Sequence, residues 1–94
     1  RQITKDDEKP IRAFIFQKVG RTCIIYWHMN GTGQLTLDIE KNKLSLMNES
    51  GKRIPIRSAG SKSILPAAGR LILETALPQE EVIKLFRKSI EIIK

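Results

Sequence analysis

Short apolar runs separated by turn residues occupy most of the chain from position 11 to 75, and some of them alternate with polar residues in the two-residue period of a β-strand. The clearest case is segment 34–39, in which Leu35, Leu37 and Ile39 alternate with polar residues. Apolar runs recur about every 8–12 residues with turn residues between them, at positions 11–18, 21–29, 34–39, 44–46, 54–56, 64–65 and 70–75. This spacing predicts a mostly β protein, an antiparallel β-sandwich of six to seven short strands.

Segments 11–18 and 21–29 are apolar on both faces for part of their length. Gly20, in the turn between them, can take a positive φ, so the two runs can form an antiparallel hairpin. Strands that are apolar on both faces are usually covered from both sides. We therefore expect this hairpin at the centre of the fold. The run 54–56 contains Pro55, which has no N–H for the ladder, so we expect it at an edge.

The two ends of the chain depart from the strand pattern. Residues 1–10 are polar apart from Ile3 and are predicted to be a flexible linker ahead of one domain at 11–94.

Pro78 suits the first position of a helix, and acidic residues follow it in the first turn. Hydrophobic residues at helical spacing then form one stripe: Val82, Leu85, Phe86, Ile90 and Ile93. The sequence thus predicts a C-terminal helix at 78–93 that covers part of the β-sandwich.

No residues in the sequence have the spacing of a catalytic or metal site. Cys23 and His28 are five positions apart on one predicted strand, so their side chains point to opposite faces and cannot form a thiol–imidazole pair. A single cysteine cannot build a zinc site alone. The segment Gly31-Thr32-Gly33 lacks the third glycine and the following helix of a dinucleotide fingerprint. We therefore expect no enzyme activity, no cofactor, no metal and no membrane-spanning segment.

Tyr26, Trp27 and His28 form the one aromatic cluster. Trp27 shares a strand face with Cys23 and Ile25, and we expect this face to be core with Trp27 as its anchor. The alternative is that the cluster, which lies beside a glycine-rich loop, binds carbohydrate, because the apolar face of a sugar packs on a flat aromatic ring. Tyr26, Trp27 and His28 are therefore the candidate carbohydrate-binding residues.

Charge adds a second hypothesis, because 17 Lys and Arg against 10 Asp and Glu give a formal net charge of +7. Most of the excess lies in residues 41–70, which hold seven cations and a single carboxylate, Glu49. The candidate polyanion-binding residues are Lys41, Lys43, Lys52, Arg53, Arg57 and Lys62. This segment has no Phe, Tyr or Trp on which bases stack, so nucleic acid or another polyanion is the alternative partner rather than the first choice. A solvated basic face, or one docked on an acidic partner domain, is the commoner outcome.

Three stretches have the order and turn positions of a known kind of domain. They are AFIF at 13–16 with GRTCIIYWH at 20–28, LTL at 35–37 leading through Leu44 to the turn at 48–51, and LP at 65–66 with GRLILE at 69–74 and PQEEV at 78–82. Over residues 11 to about 86 the chain resembles the small C-terminal β-sandwich that follows the catalytic (β/α)-barrel in some bacterial glycoside hydrolases. The catalytic carboxylates of such enzymes lie on the barrel. The resemblance therefore implies a non-catalytic accessory domain in carbohydrate metabolism, secreted or periplasmic, that packs on the catalytic domain of its parent chain and contacts carbohydrate.

Overall fold

A computed structural model describes the protein over residues 11–91. Side chains are described throughout this range except those of Asn30, Ser89, Ile90 and Glu91. The predicted linker at 1–10 and the last predicted helical positions, 92–93, lie outside the described residues. The described chain is mostly antiparallel β with a single C-terminal helix, and over this range the sheet does not close into a barrel. The predicted fold class is confirmed.

Five strands and one helix make up the described chain, with a short 3-10 turn between the second and third strands. The elements are β1 (Ile11–Lys18), β2 (Arg21–Leu37), the 3-10 turn (Lys41–Lys43), β3 (Leu44–Asn48), β4 (Arg57–Ala59), β5 (Lys62–Thr75) and α1 (Gln79–Glu91). The first turn of α1 closes when the Val82 N–H donates to the carbonyl of Pro78 at 3.1 Å. Glu80 and Glu81 lie in this turn, where the helix dipole favours negative charge.

The long strands β2 and β5 pair with each other along most of their length and form the middle of the sheet. The strand order is β1-β2-β5-β3, and β4 pairs with the first residues of β5. The β2–β5 pairing is interrupted once, where the register shifts between Trp27 and Thr32. Gly31 lies in this interruption with a φ of 134°, a conformation that residues with a Cβ rarely adopt. The predicted runs 21–29 and 34–39 are therefore two parts of one strand, as are the two predicted runs within β5.

The face of the sheet that α1 covers, called the inner face, forms the core. Tyr26 meets Phe86 of α1 edge to face, with 5.5 Å between the ring centroids. The Tyr26 hydroxyl donates to the carbonyl of Pro66 at 2.8 Å, which joins the two parts of the sheet across the interruption. The core residues are Ile11, Ala13, Ile15, Ile24, Tyr26, Leu35, Leu37, Ile39, Leu46, Leu65, Ala67, Leu71, Leu73, Val82, Ile83 and Phe86. Val82 and Phe86 belong to the predicted helical stripe, whereas Ile83 was not predicted to be buried.

Two strand positions differ from the expectation. β1 lies at an edge of the sheet and not at its centre, because it pairs with β2 alone. The run 54–56 is not a strand: Arg53 makes one isolated bridge to Met47, and the next strand is β4. The ladder cannot continue through Pro55 because this residue has no N–H to donate.

Candidate functional site

Tyr26 and Trp27, two of the predicted carbohydrate-binding residues, point to opposite faces of the sheet. Tyr26 is fully buried on the inner face, together with Thr22 and Ile24 of the same strand. Trp27 lies on the other face and is partly buried. The expectation that Trp27 anchors the core was wrong, because the buried aromatic side chain of β2 is Tyr26. Burial raises the pKa of the Tyr26 phenol, which keeps its proton and donates it in a hydrogen bond.

His28, the third predicted residue, lies at the start of the interruption in the pairing of β2 with β5. It is paired with Ile11 of β1 and is partly buried on the inner face. The imidazole lies against Gly33, at which an added Cβ would come within 3.2 Å of His28 Cδ2. Cys23 is on the opposite face, as its spacing from His28 predicted. The structure therefore does not assemble Tyr26, Trp27 and His28 into one aromatic surface.

The face of the sheet opposite α1, called the outer face, carries an apolar row across four strands. The row consists of Phe14 (β1), Ile25 (β2), Ile72 (β5) and Met47 (β3), each directly paired with the next. Directly paired residues of antiparallel strands place their side chains side by side on one face. Phe14 is 41% exposed and the other three are partly buried. No element within residues 11–91 packs on this row, since α1 and the apolar loop residues join the inner core.

Trp27 contacts Phe14, which belongs to the apolar row, and Arg70 of β5. These three residues are called the stack. The rings of Phe14 and Trp27 are nearly parallel, at 17°, with 6.0 Å between their centroids. On the β5 side, the guanidinium carbon of Arg70 lies 5.2 Å from the centroid of the Trp27 ring. Because β1 and β5 flank β2 on opposite sides, Trp27 is contacted from both neighbouring strands.

Three arginines lie around the apolar row, and one of them is Arg70 of the stack. Arg12 and Arg70 are the direct strand partners of Trp27, one on each side. Arg53 is bridged to Met47 and therefore lies at the β3 end of the row. A guanidinium is a planar donor that binds carboxylate or phosphate in a bidentate manner. The outer face thus combines an uncovered apolar centre with anion-binding side chains around it.

The hairpin end of the outer face holds two further cations, Lys18 and Arg21, which are paired with each other. Lys18 Nζ lies 3.6 Å from an oxygen of Glu74, a carboxylate that is only 8% exposed. The Cys23 thiol donates to the same carboxylate at 3.5 Å. Burial, and secondly the nearby Glu74 charge, raise the pKa of this thiol. Cys23 is therefore held protonated and is not an activated nucleophile.

The six predicted polyanion-binding residues are all exposed but lie on separate segments. Two are in the 3-10 turn, two follow β3, one is on β4 and one begins β5: Lys41, Lys43, Lys52, Arg53, Arg57 and Lys62. Arg53 borders the apolar row, whereas Arg57 donates a hydrogen bond to Gln34 in the far part of β2 at 2.9 Å. Whether any of the six binds a polyanion stays a prediction.

Two shallow recesses lie near the 3-10 turn. One has a volume of about 190 Å³ and is lined by Asp38, Glu40, Lys43 and Glu81, among others. The other has a volume of about 260 Å³ and lies between the 3-10 turn and the β4–β5 turn. Both are smaller than the pockets of roughly 300–1,000 Å³ that usually hold small ligands. Among residues 11–91, no three His, Cys, Asp or Glu side chains are grouped so as to hold a metal ion.

Within residues 11–91, no helix has the length and apolar character needed to cross a membrane. In comparisons with protein-family models, curated proteins and solved structures, the chain matches none. Its class is therefore defined by fold and surface. It is a small antiparallel β-domain whose sheet has one face covered by a helix and one apolar face bordered by arginine.

Sequence reasoning missed the outer face, although a signal was present. Arg12, Phe14, Phe16 and Lys18 alternate with buried residues along β1, so basic and aromatic side chains share one strand face. The cation excess of 41–70 and the aromatic cluster of 26–28 are far apart along the chain, so neither points to the other. Only the pairing of β2 with β5 brings Arg70 to Trp27.

Proposed function

We propose that this protein is a non-catalytic β-domain that packs through its outer face on a larger protein domain. The observation that carries the proposal is the uncovered apolar row of Phe14, Ile25, Ile72 and Met47. Strands that are apolar on both faces normally have a cover on each side. Here α1 covers the inner face, and no element of the described chain covers the outer one. A partner supplies the second cover, which explains why the hairpin of β1 and β2 is apolar on both faces.

The residue types of the outer face favour a protein partner. Trp, Phe, Met and Arg are enriched at the centres of protein–protein interfaces, and Trp and Arg dominate their binding energy. All four types occur on this face, in Trp27, Phe14, Met47 and Arg70. A carbohydrate platform needs an open ring face, whereas Phe14 and Arg70 both lie against the ring of Trp27. Contact with carbohydrate, as implied by the family resemblance, would therefore need a surface shared with the partner domain.

The resemblance described above suggests which domain the partner is. In glycoside hydrolases with such a C-terminal β-sandwich, the partner is the catalytic (β/α)-barrel of the same polypeptide. We propose this arrangement for the present chain, as a domain of a secreted or periplasmic carbohydrate-active enzyme whose catalytic residues lie elsewhere. The role of the domain is structural: burying the apolar row stabilises both domains by removing nonpolar surface from water.

Calorimetry with separately expressed proteins tests this proposal. The partner is the product of the gene region that precedes Arg1, expressed as its own protein and titrated with this chain. We expect the wild type to bind and Phe14→Ser to lower the affinity by about 30-fold or more, as for an interface hot spot. Val19→Ser is the matched control, because Val19 is 103% exposed in a turn outside the apolar row. Absence of wild-type binding, or a preceding region too short for a barrel, overturns the proposal.

A polyanion is the second candidate partner, favoured by the arginines beside exposed Phe14. Fluorescence anisotropy with a labelled oligothymidylate of about 20 nucleotides tests it. Binding that weakens steeply between about 50 and about 200 mM salt supports this candidate. No binding at low salt eliminates it.

A further inference from the structure

We propose that the outer face docks on an acidic protein surface, with a carboxylate of the partner bound by Arg70, which lies against Trp27. This inference rests on the proposed function and specifies the chemistry of the partner at the same site. It also commits to a different protein surface, and not to a second copy of this chain, as the occupant of the face.

The charge of the outer face carries the first step of the argument. Strand pairing and the bridge of Arg53 to Met47 place four exposed cations around the apolar row: Lys18, Arg21, Arg53 and Arg70. Among the described residues at the corresponding positions of β1, β2, β3 and β5, the only carboxylate is Glu74. Glu74 is 8% exposed and lies close to Lys18 and Cys23, so it contributes little to the surface that a partner meets. A partner must therefore bring negative charge to the rim of the apolar row.

The second step concerns the position of Arg70. This residue is the direct strand partner of Trp27 on the β5 side, so its side chain lies next to the indole. Arg70 is held by its contact with the Trp27 ring. A guanidinium that rests on an aromatic ring still has N–H groups that can donate to a carboxylate. The ring contact also reduces the side-chain entropy that docking would remove.

Charge also argues against a second copy of this chain as the occupant. A two-fold symmetric contact would bring the outer faces of both copies together. Each copy would then oppose its arginines to those of the other, and like charges at an interface cost several kcal/mol. The apolar row alone would have to offset that repulsion. An acidic partner surface gains from the same side chains that make self-association unfavourable.

The experiment uses the same calorimetric titration with the product of the region preceding Arg1. We expect Arg70→Gln to lower the affinity by about 30-fold, the loss typical of a truncated interface charge pair. Lys84→Gln is the matched control, an exposed cation on α1, which covers the opposite face of the sheet, and should leave the affinity unchanged. Higher salt should weaken wild-type binding and have less effect on Arg70→Gln, because screening acts on the charge pair that this variant has lost.

Zero-length cross-linking identifies the groups that face position 70. The Arg70→Lys variant keeps the positive charge and adds an amine that a carbodiimide couples to a neighbouring carboxylate. We expect mass spectrometry to find an amide between position 70 and an Asp or Glu of the partner. A cross-link from position 70 to a second copy of this chain overturns the inference, and so does a complex with no cross-link at this position.

The outcomes separate this inference from the proposed function. If wild type does not bind, the proposed function fails and this inference fails with it. If wild type binds and Phe14→Ser weakens binding while Arg70→Gln does not, the docking face stands and the acidic partner is wrong. A dimer of this chain in analytical ultracentrifugation that Phe14→Ser dissociates makes a second copy the occupant. Oligothymidylate binding that is lost in Arg70→Gln makes nucleic acid the occupant instead.

Discussion

Arg70 lies over the indole of Trp27, with its guanidinium carbon 5.2 Å from the ring centroid. The two residues are 43 positions apart in the sequence (27 to 70) and become neighbours because β2 and β5 pair directly at this point. Trp27 is the one tryptophan of the chain, so its fluorescence reports on this contact and on any partner that covers it.

The contact between Arg70 and Trp27 should contribute modestly to stability. Arg70→Gln is expected to lower the free energy of unfolding by about 0.5–1 kcal/mol, the range for an exposed cation–π contact. Urea unfolding followed by circular dichroism measures this without relying on Trp27 fluorescence. Lys62→Gln, which removes an exposed cation from the start of β5, should change stability by less than about 0.5 kcal/mol. Equal losses in both variants would mean that net charge, and not the ring contact, is responsible.

The two faces of the sheet should respond differently to the same substitution. Phe86 is fully buried against Tyr26, so Phe86→Ala should cost about 3–5 kcal/mol. Phe14 is 41% exposed, so Phe14→Ala should cost only about 1 kcal/mol in the isolated chain. Chemical denaturation of both variants checks the difference. Similar losses would show that the outer face is already covered in solution, for example by self-association.

The Tyr26 hydroxyl should make stability depend on alkaline pH. Burial raises the pKa of this phenol above its ordinary value of about 10. At a pH between the pKa of the unfolded chain and that of the folded chain, the folded chain therefore binds a proton that the unfolded chain has released. The contribution of this phenol to the free energy of unfolding is fully present below about pH 10. Above that pH it decreases, by about 1.4 kcal/mol at about pH 11.

Tyr26→Phe is the control for this pH effect. Near pH 8 it should be about 1 kcal/mol less stable than wild type, because the bond to the Pro66 carbonyl is lost. Near pH 11 the difference should disappear or reverse, because the variant has no phenol to ionise. Urea unfolding of both proteins at several pH values measures the difference. A constant difference at all pH values would contradict a buried, protonated phenol.

The Cys23 thiol should be protected from labelling in the folded chain. It is fully buried, and burial together with Glu74 raises its pKa, so both access and thiolate content are low. We expect reaction with a disulfide reagent to be at least about a hundredfold slower in native buffer than in urea, since it requires local opening. Cys23 is the one cysteine of the chain, so the released chromophore reports on it alone. Rapid labelling without denaturant would mean that the Phe16–Cys23 part of the sheet opens readily.

Local pattern was enough to predict the fold class. The positions of β1 and the turn at Gly20, whose φ is 71°, follow from period-two hydrophobicity and from the need for a residue without Cβ. The helix also follows from its 3.6-residue stripe of Val82 and Phe86. Such signals are readable because each depends on residues that are close together in the sequence.

The order of strands and the identity of the core face were not predictable in this way. β1 was expected at the centre because it is apolar on both faces, yet it lies at an edge. Trp27 was expected in the core, yet Tyr26 occupies it. Both faces of β2 are apolar, so alternation could not say which one α1 would cover, and that choice depends on contacts with a helix about 60 residues later in the chain.

The sequence by itself determined the mostly β character, the helix, the net charge and the lack of a recognisable catalytic spacing. Only the tertiary structure decided that basic and aromatic residues share a surface. Arg53 and Arg70 come from the segment 41–70, which has no aromatic residue, and Phe14 and Trp27 come from the first hairpin. Pairing of β2 with β5, and the bridge from Arg53 to β3, place them on one face of the sheet. The physical reason is that strands pair across long sequence separations, according to which face of each strand becomes buried. The pattern within a single segment does not contain this information.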